Sequence, residues 1–257
     1  MRKLIVFCSA VLLLSSCDKT SADSSDELFI SSASSLTDVM QQVETEFERK
    51  HPEVDLVFNF GSSSKLRNQI QQGAPVDVFL SASAQDMKIL EEEGAMKDGS
   101  VQSFAANRLV LASSGPIDEG VELSSQIKNS EDIIAIGEPE SVPLGFYTKQ
   151  SLEQLGIWES LDGRMIYAKD ARQVLSYLES GNAGMGILYA SDAIGSDRLD
   201  TVIDIPVGNE QIVYPAGILA ETKKSKAAEA FLTFLTSEHG RQLLEDFGFA
   251  SNEGEDD

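Results

Sequence analysis

Basic charge is scarce in this chain. Of its 257 residues, 20 are lysine or arginine against 42 aspartates and glutamates, a formal net charge of −22. Binding a phosphate backbone or an anionic membrane surface needs clustered cations, so neither nucleic acid nor such a surface is expected as a partner. On charge alone an anionic ligand is disfavoured as well. Cysteine is scarcer still: Cys8 lies in an apolar run near the N-terminus and leaves Cys17 alone in the remainder, which excludes an intrachain disulfide or a cysteine-based zinc site. The two histidines, His51 and His239, stand in polar surroundings near expected helix ends and read as solvated surface residues. There is no Gly-x-Ser-x-Gly elbow, and with two histidines in all, an exported serine hydrolase has little to supply its general base. No internal repeat is visible.

What is present begins with an address. Arg2 and Lys3 precede Leu4–Leu14, an apolar stretch too short to span a bilayer but suited to the core of a secretory signal. Leu14-Ser15-Ser16-Cys17 resembles a bacterial lipobox, so residues 1–16 are expected to be removed and Cys17 to carry a lipid. That cleavage leaves 18 basic against 42 acidic residues, a net of −24. The Ser- and Asp-rich residues 17–26 read as a flexible tether and 251–257 as a disordered acidic tail.

From Leu28 onward short β-rich runs alternate with helix-period segments, which predicts an α/β architecture with mostly parallel sheet. Strands are expected at Leu28–Ser31, Val54–Phe60, Val76–Ser81, Leu109–Ala112, Ile133–Ile136, Met185–Tyr189, Val202–Ile205 and Ala216–Ala220. The first helix carries Leu36, Val39, Met40, Val43 and Phe47 on one face, with Ser34 or Ser35 as its cap. Further helices are expected at Lys65–Gln72, Asp86–Glu93, Phe146–Leu155, Arg172–Glu179, Lys226–Leu235 and Glu238–Phe247.

Four helix starts draw notice: Ser34-Ser35-Leu36, Gly61-Ser62-Ser63-Ser64-Lys65, Pro143-Leu144-Gly145-Phe146 and Asp170-Ala171-Arg172. A helix N-terminus offers unpaired amides and a partial positive charge, and serine adds hydroxyl donors without adding charge. Capping alone accounts for a single serine before a helix and for Asp170, whereas three serines after Gly61 exceed what one cap needs. Both serine segments fall beyond the carboxyl ends of expected strands, where ligands gather in open α/β sheets. Tyr189, at the end of a buried-looking strand, reads equally as a core tyrosine.

Six segments, in order, resemble the molybdate-binding receptors of ABC importers: Ala33–Thr37, Gly61–Ser64, Gly73–Phe79, Gly137–Gly145, Gly186–Asp192 and Phe247–Phe249. The resemblance covers almost all of the chain after the signal and implies a two-lobed, type II solute-binding protein in lipoprotein form, with the ligand in the cleft between lobes. It implies lobe 1 at 27–107 plus 217–250 and lobe 2 at 108–216, a division that composition alone does not locate. It further implies that the oxyanion is held by neutral donors only: the hydroxyls of Ser35, Ser63 and Tyr189 and the backbone amides of Leu144 and Ala171. Leu144 stands where the family often has alanine, which bears on how the lobes close. Molybdenum would then be present only within the oxyanion, with no protein atom ligating the metal and no resident cofactor. The implied protein is a receptor and not an enzyme, monomeric, exported, lipid-anchored at Cys17, and partnered by the permease of its transporter. Tungstate should bind as molybdate does, while protonated phosphate would lack an acceptor for its hydrogen. Sulfate or phosphate receptors share this architecture and remain the nearest alternatives. Ferric receptors use adjacent tyrosines, a pair that Tyr147, Tyr167, Tyr177, Tyr189 and Tyr214 do not supply. A surface-tethered adhesion or scaffolding lipoprotein is permitted by the tether but has no further support.

Overall fold

The computed structural model describes residues 26–117, 121–207 and 211–250. The expected signal peptide, Cys17, the acidic tail and all of the tether but Asp26 lie outside those residues. In chain order the strands are β1 (Asp26–Ala33), β2 (Val54–Gly61), β3 (Val78–Leu80), β4 (Gln102–Asn107), β5 (Leu109–Ser113), β6 (Ile134–Gly137), β7 (Met165–Ala168), β8 (Met185–Tyr189), β9 (Thr201–Ile205) and β10 (Ile212–Ile218). The helices are α1 (Thr37–Lys50), α2 (Ser63–Gln71), α3 (Ala84–Glu92), α4 (Leu123–Asn129), α5 (Pro143–Gln154), α6 (Ala171–Glu179), α7 (Ala190–Ile194), α8 (Ser225–Thr236) and α9 (Glu238–Asp246).

These strands build two five-stranded sheets, β2-β1-β3-β10-β4 and β7-β6-β8-β5-β9. Each is mixed. In the first, β1 runs parallel to β2 and β3, while β10 is antiparallel to β3 and β4. In the second, β6 is parallel to β7 and β8, while β5 is antiparallel to β8 and β9. The antiparallel partners come from the segments where the chain passes between sheets. Only Arg108 separates β4 from β5, and residues 206–211 lead from β9 back to β10. Every residue of β5 and β8 is buried, as expected of strands covered on both faces, which read as runs and not as alternations.

Helix α1 buries Val39, Met40, Val43 and Phe47 at the spacing of one helical face. Phe47 meets Phe231 and Phe234 of α8 edge-on, with ring centroids 5.6 and 5.7 Å apart, contacts that contribute about 0.5–1.5 kcal/mol each beyond their burial. The returning C-terminal segment is thus fastened to the first lobe.

Some elements differ from expectation. Strand β10 begins at Ile212, four residues early, because Pro215 reads as a strand boundary yet sits at a register shift that spares the ladder an N–H. The division expected at 216/217 therefore cuts a strand of the first sheet. Asp26 and Glu27, expected in or beside the tether, open β1 opposite Val54 and Asp55. β4, β7, α4 and α7 were not foreseen: β4 is alanine-containing and polar and is held by pairing with β10, and the five residues of α7 are too few to show a period.

Candidate anion-binding site

Helices α2, α5 and α6, and the tight helical turn Ser34–Leu36 that leads into α1, begin around one small pocket. Its volume is about 10 Å³, and it is lined by Ser34, Ser35, Ser62, Ser63 and Ala82 among others from the first lobe, and by Pro143, Leu144, Ala171 and Tyr189 among others from the second. A water-sized group needs about 10–15 Å³, so the lobes stand close enough here to leave space for about one. All twelve residues lining it are uncharged. The five residues implied by the resemblance, Ser35, Ser63, Leu144, Ala171 and Tyr189, all line it together.

Each start is built differently. Neither Ser34 nor Ser35 caps a helix: the turn is preceded by Ala33 and α1 by Leu36, and neither cap position makes a side-chain bond. The capping role expected of one of them is thus absent. At α2 the cap is Ser62, which accepts from the Lys65 amide, so Ser63 is released from capping. Its Oγ accepts the Ala82 amide at 2.9 Å, which fixes the oxygen in place and leaves its own proton available to the pocket. Pro143 fills the first position of α5, and Val142 before it offers no side-chain cap. A proline there wastes no donor and leaves the Leu144 amide among the first that α5 presents. Asp170 caps α6 as expected, accepting from the Gln173 amide at 2.9 Å.

The Ala171 amide donates across the cleft to Ser34 Oγ at 3.2 Å. This contact brings Ser34 into the site beside Ser35, a distinction between the two that sequence spacing does not make. A second bridge runs from Arg172 to Asp38 at 2.6 Å. With both partners more than a third exposed it is worth about 0–1 kcal/mol. Its value lies in registering the lobes.

Tyr189 is buried to 1 % exposure, and its hydroxyl has no hydrogen-bond partner among the described residues. Burial above all, then neighbouring Tyr214 and Tyr147, pushes its pKa well up, so it is a neutral donor at any physiological pH. Beside its ring, centroids 5.9 Å apart, stands Tyr214, whose hydroxyl lies 2.9 Å from Ser35 Oγ. Tyr214 was noted in the sequence only as one of five separated tyrosines. The register shift of β10 falls between Tyr214 and Pro215, but no local pattern marks the tyrosine as part of the site.

A larger recess of about 660 Å³ opens between the lobes next to this pocket. Among its charged residues Arg67 pairs with Asp86 at 2.9 Å and Lys149 with Glu153 at 3.9 Å, and Glu140 adds a further carboxylate, so it offers an anion no surplus of cations. Among the described residues no group of His, Cys, Asp and Glu is arranged to hold a metal ion, and no helix is long and apolar enough to cross a membrane.

Residues 28–250 match the family model described as bacterial extracellular solute-binding protein. YvgL of Bacillus subtilis (strain 168), provisionally named an ABC transporter substrate-binding lipoprotein, is 35 % identical over 95 % of both chains. The molybdate-binding protein ModA of Haemophilus influenzae is 31 % identical over 98 % of this chain and 100 % of its own. Among solved structures, the periplasmic molybdate-binding protein of Azotobacter vinelandii superposes with a TM-score of 0.78 at 26 % identity, covering 87 % of this chain and 98 % of that one.

Proposed function

The chain belongs to the bacterial extracellular solute-binding proteins, and on that premise we propose that it captures molybdate, and tungstate with it, for the permease of an ABC importer. One observation carries the reading: four helical starts from two lobes converge on a small pocket lined wholly by uncharged residues, hydroxyls and helix-start amides among them. Ser35, Ser63 and Tyr189 supply hydroxyls, and Leu144 and Ala171 supply amides, that of Ala171 exchanging its bond to Ser34 Oγ for one to the ligand. The protein is a transport receptor and not an enzyme.

Hydrogen bonds to a charged partner are worth about 1.5–3 kcal/mol each, so five supply about 7.5–15 kcal/mol, which reaches the roughly 8 kcal/mol of a micromolar site and, in the upper part of that range, covers closing the lobes as well. The helix N-termini add partial positive charge at contact distance. The acidic surface opposes this weakly, because charges more than about 8 Å away are largely screened at physiological salt. A donor-only shell suits an oxyanion with four bare oxygens and strands the proton of hydrogen phosphate. Export through the N-terminal signal, a lipid on Cys17 and action as a monomer complete the proposal, and the naming of YvgL as a lipoprotein supports the anchor.

Calorimetric titration of the soluble protein with molybdate, tungstate, sulfate and phosphate tests it. Saturable heat with molybdate and tungstate is expected. Binding of sulfate or phosphate with none of molybdate would reassign the receptor to another tetrahedral oxyanion.

A further inference from the structure

Asn107 ends β4 at the first passage between lobes, and Tyr214 lies on β10 just after the second. The two meet there. Asn107 Nδ2 donates to Tyr214 Oη at 3.3 Å and to Ser191 Oγ of the second lobe at 2.9 Å. Tyr214 Oη in turn lies 2.9 Å from Ser35 Oγ.

The direction of that last bond follows from what each group can do. An amide NH₂ only donates, so Tyr214 Oη accepts from Asn107. Tyr214 is 0 % exposed, and burial holds its pKa far above neutrality, so its proton is present and needs an acceptor. Among the described residues Ser35 Oγ is the one acceptor bonded to it. With the phenol proton delivered to Ser35 Oγ, the serine's own proton is left to point into the pocket.

We propose that Asn107 and Tyr214 are positioning residues that fix Ser35 as a donor to the bound oxyanion, and so help reject oxyanions that carry a proton. The inference rests on the receptor reading above and deepens it. Neither side chain is among those lining the pocket. Both act through Ser35. The chain of bonds also draws on both passages between lobes, so Ser35 is oriented by the same residues that join the lobes.

Calorimetry on the full protein, with molybdate and hydrogen phosphate as probes, decides it. Tyr214→Phe removes the proton and keeps the ring; it should weaken molybdate about tenfold, one modest hydrogen bond's worth, while phosphate weakens less or improves, because Ser35 regains freedom to accept. Asn107→Asp should do the same, since a carboxylate would take the Tyr214 proton for itself. In a Ser35→Ala background Tyr214→Phe should have no further effect on molybdate. Equal weakening of both anions, unchanged molybdate affinity, or the same factor with and without Ser35 would each overturn the relay while leaving the receptor reading intact. A wild-type protein that binds no molybdate would overturn that reading and the relay together. Thermal melts check that each variant is folded, and a melt showing Tyr214→Phe unfolded passes the decision to Asn107→Asp.

Discussion

The two lobes contribute different chemistry to one pocket. The first offers serine hydroxyls, Ser34, Ser35, Ser62 and Ser63, whereas the second offers the first amides of α5 and α6 and a single phenol, Tyr189. Side-chain donors are aimed by bonds from neighbours: Ala82 to Ser63, and the Tyr214 hydroxyl beside Ser35. Backbone donors are aimed by the helix itself and survive a change of side chain. Affinity should therefore be fragile to substitution in the first lobe and robust in the second, except at Tyr189.

The largest effects test the fragile side. Ser63→Ala removes a donor and also strands the buried Ala82 amide, and Ser35→Ala removes the acceptor of Tyr214. Each should raise the molybdate dissociation constant about 10- to 100-fold. Tyr189→Phe should weaken binding by about tenfold without lowering the melting temperature of the unliganded protein, because its hydroxyl has no partner to lose. Calorimetry with parallel melts reads both. Unchanged affinity in all three would break the comparison at its base.

A smaller effect concerns charge hidden behind the second lobe's face. Asp192 is 2 % exposed with neither carboxylate oxygen hydrogen-bonded, and burial, only partly offset by Arg172, raises its pKa from 3.8 to about 7. Between those values the native state holds a proton that the unfolded chain has released. Stability contributed by the protonated group is therefore full below about pH 4 and declines as pH rises through 7. Asp192→Asn should flatten that decline, raising the melting temperature at pH 8 by an amount on the order of a few kcal/mol of stability and at pH 4 by the equivalent of well under about 1 kcal/mol. Equal shifts at both values would show the carboxylate to be paired.

The smallest binding effect is expected where the donor is backbone. Leu144→Ala keeps the amide and should change molybdate affinity by less than about threefold, within the scatter of substitutions that spare the contact. The same change costs about 2–5 kcal/mol of stability, because Leu144 is fully buried. A large loss of affinity without a loss of stability would mean that the Leu144 side chain, and not its amide, meets the ligand.

Much of the fold was legible along the chain because its strong elements are locally consistent. Val39, Met40, Val43 and Phe47 announce α1 by spacing alone, and the buried runs of β5 and β8 need no partner to be seen. What was not legible depended on neighbours. β4 lacks β-branched residues and exists through its ladder to β10; Pro215 hides the start of β10 by mimicking a boundary; the short α7 has no period to detect. The site divides the same way. All four helical starts and the five residues carried over from the family resemblance could be named in advance, yet which serine caps and which is free could not, and Asn107 and Tyr214 had no local signature.

By itself the sequence determined the chemistry on offer: hydroxyls and helix starts in a chain too acidic to present a basic face. Those properties are local, written in residue type and spacing. The tertiary structure decided convergence and direction. It placed donors from Ser35 to Tyr189, more than 150 residues apart, around one pocket, and through Ala82, Ala171, Asn107 and Tyr214 it set which proton of each pair is free to face a ligand. Direction is a property of the hydrogen-bond network, and that network exists only once distant segments have packed.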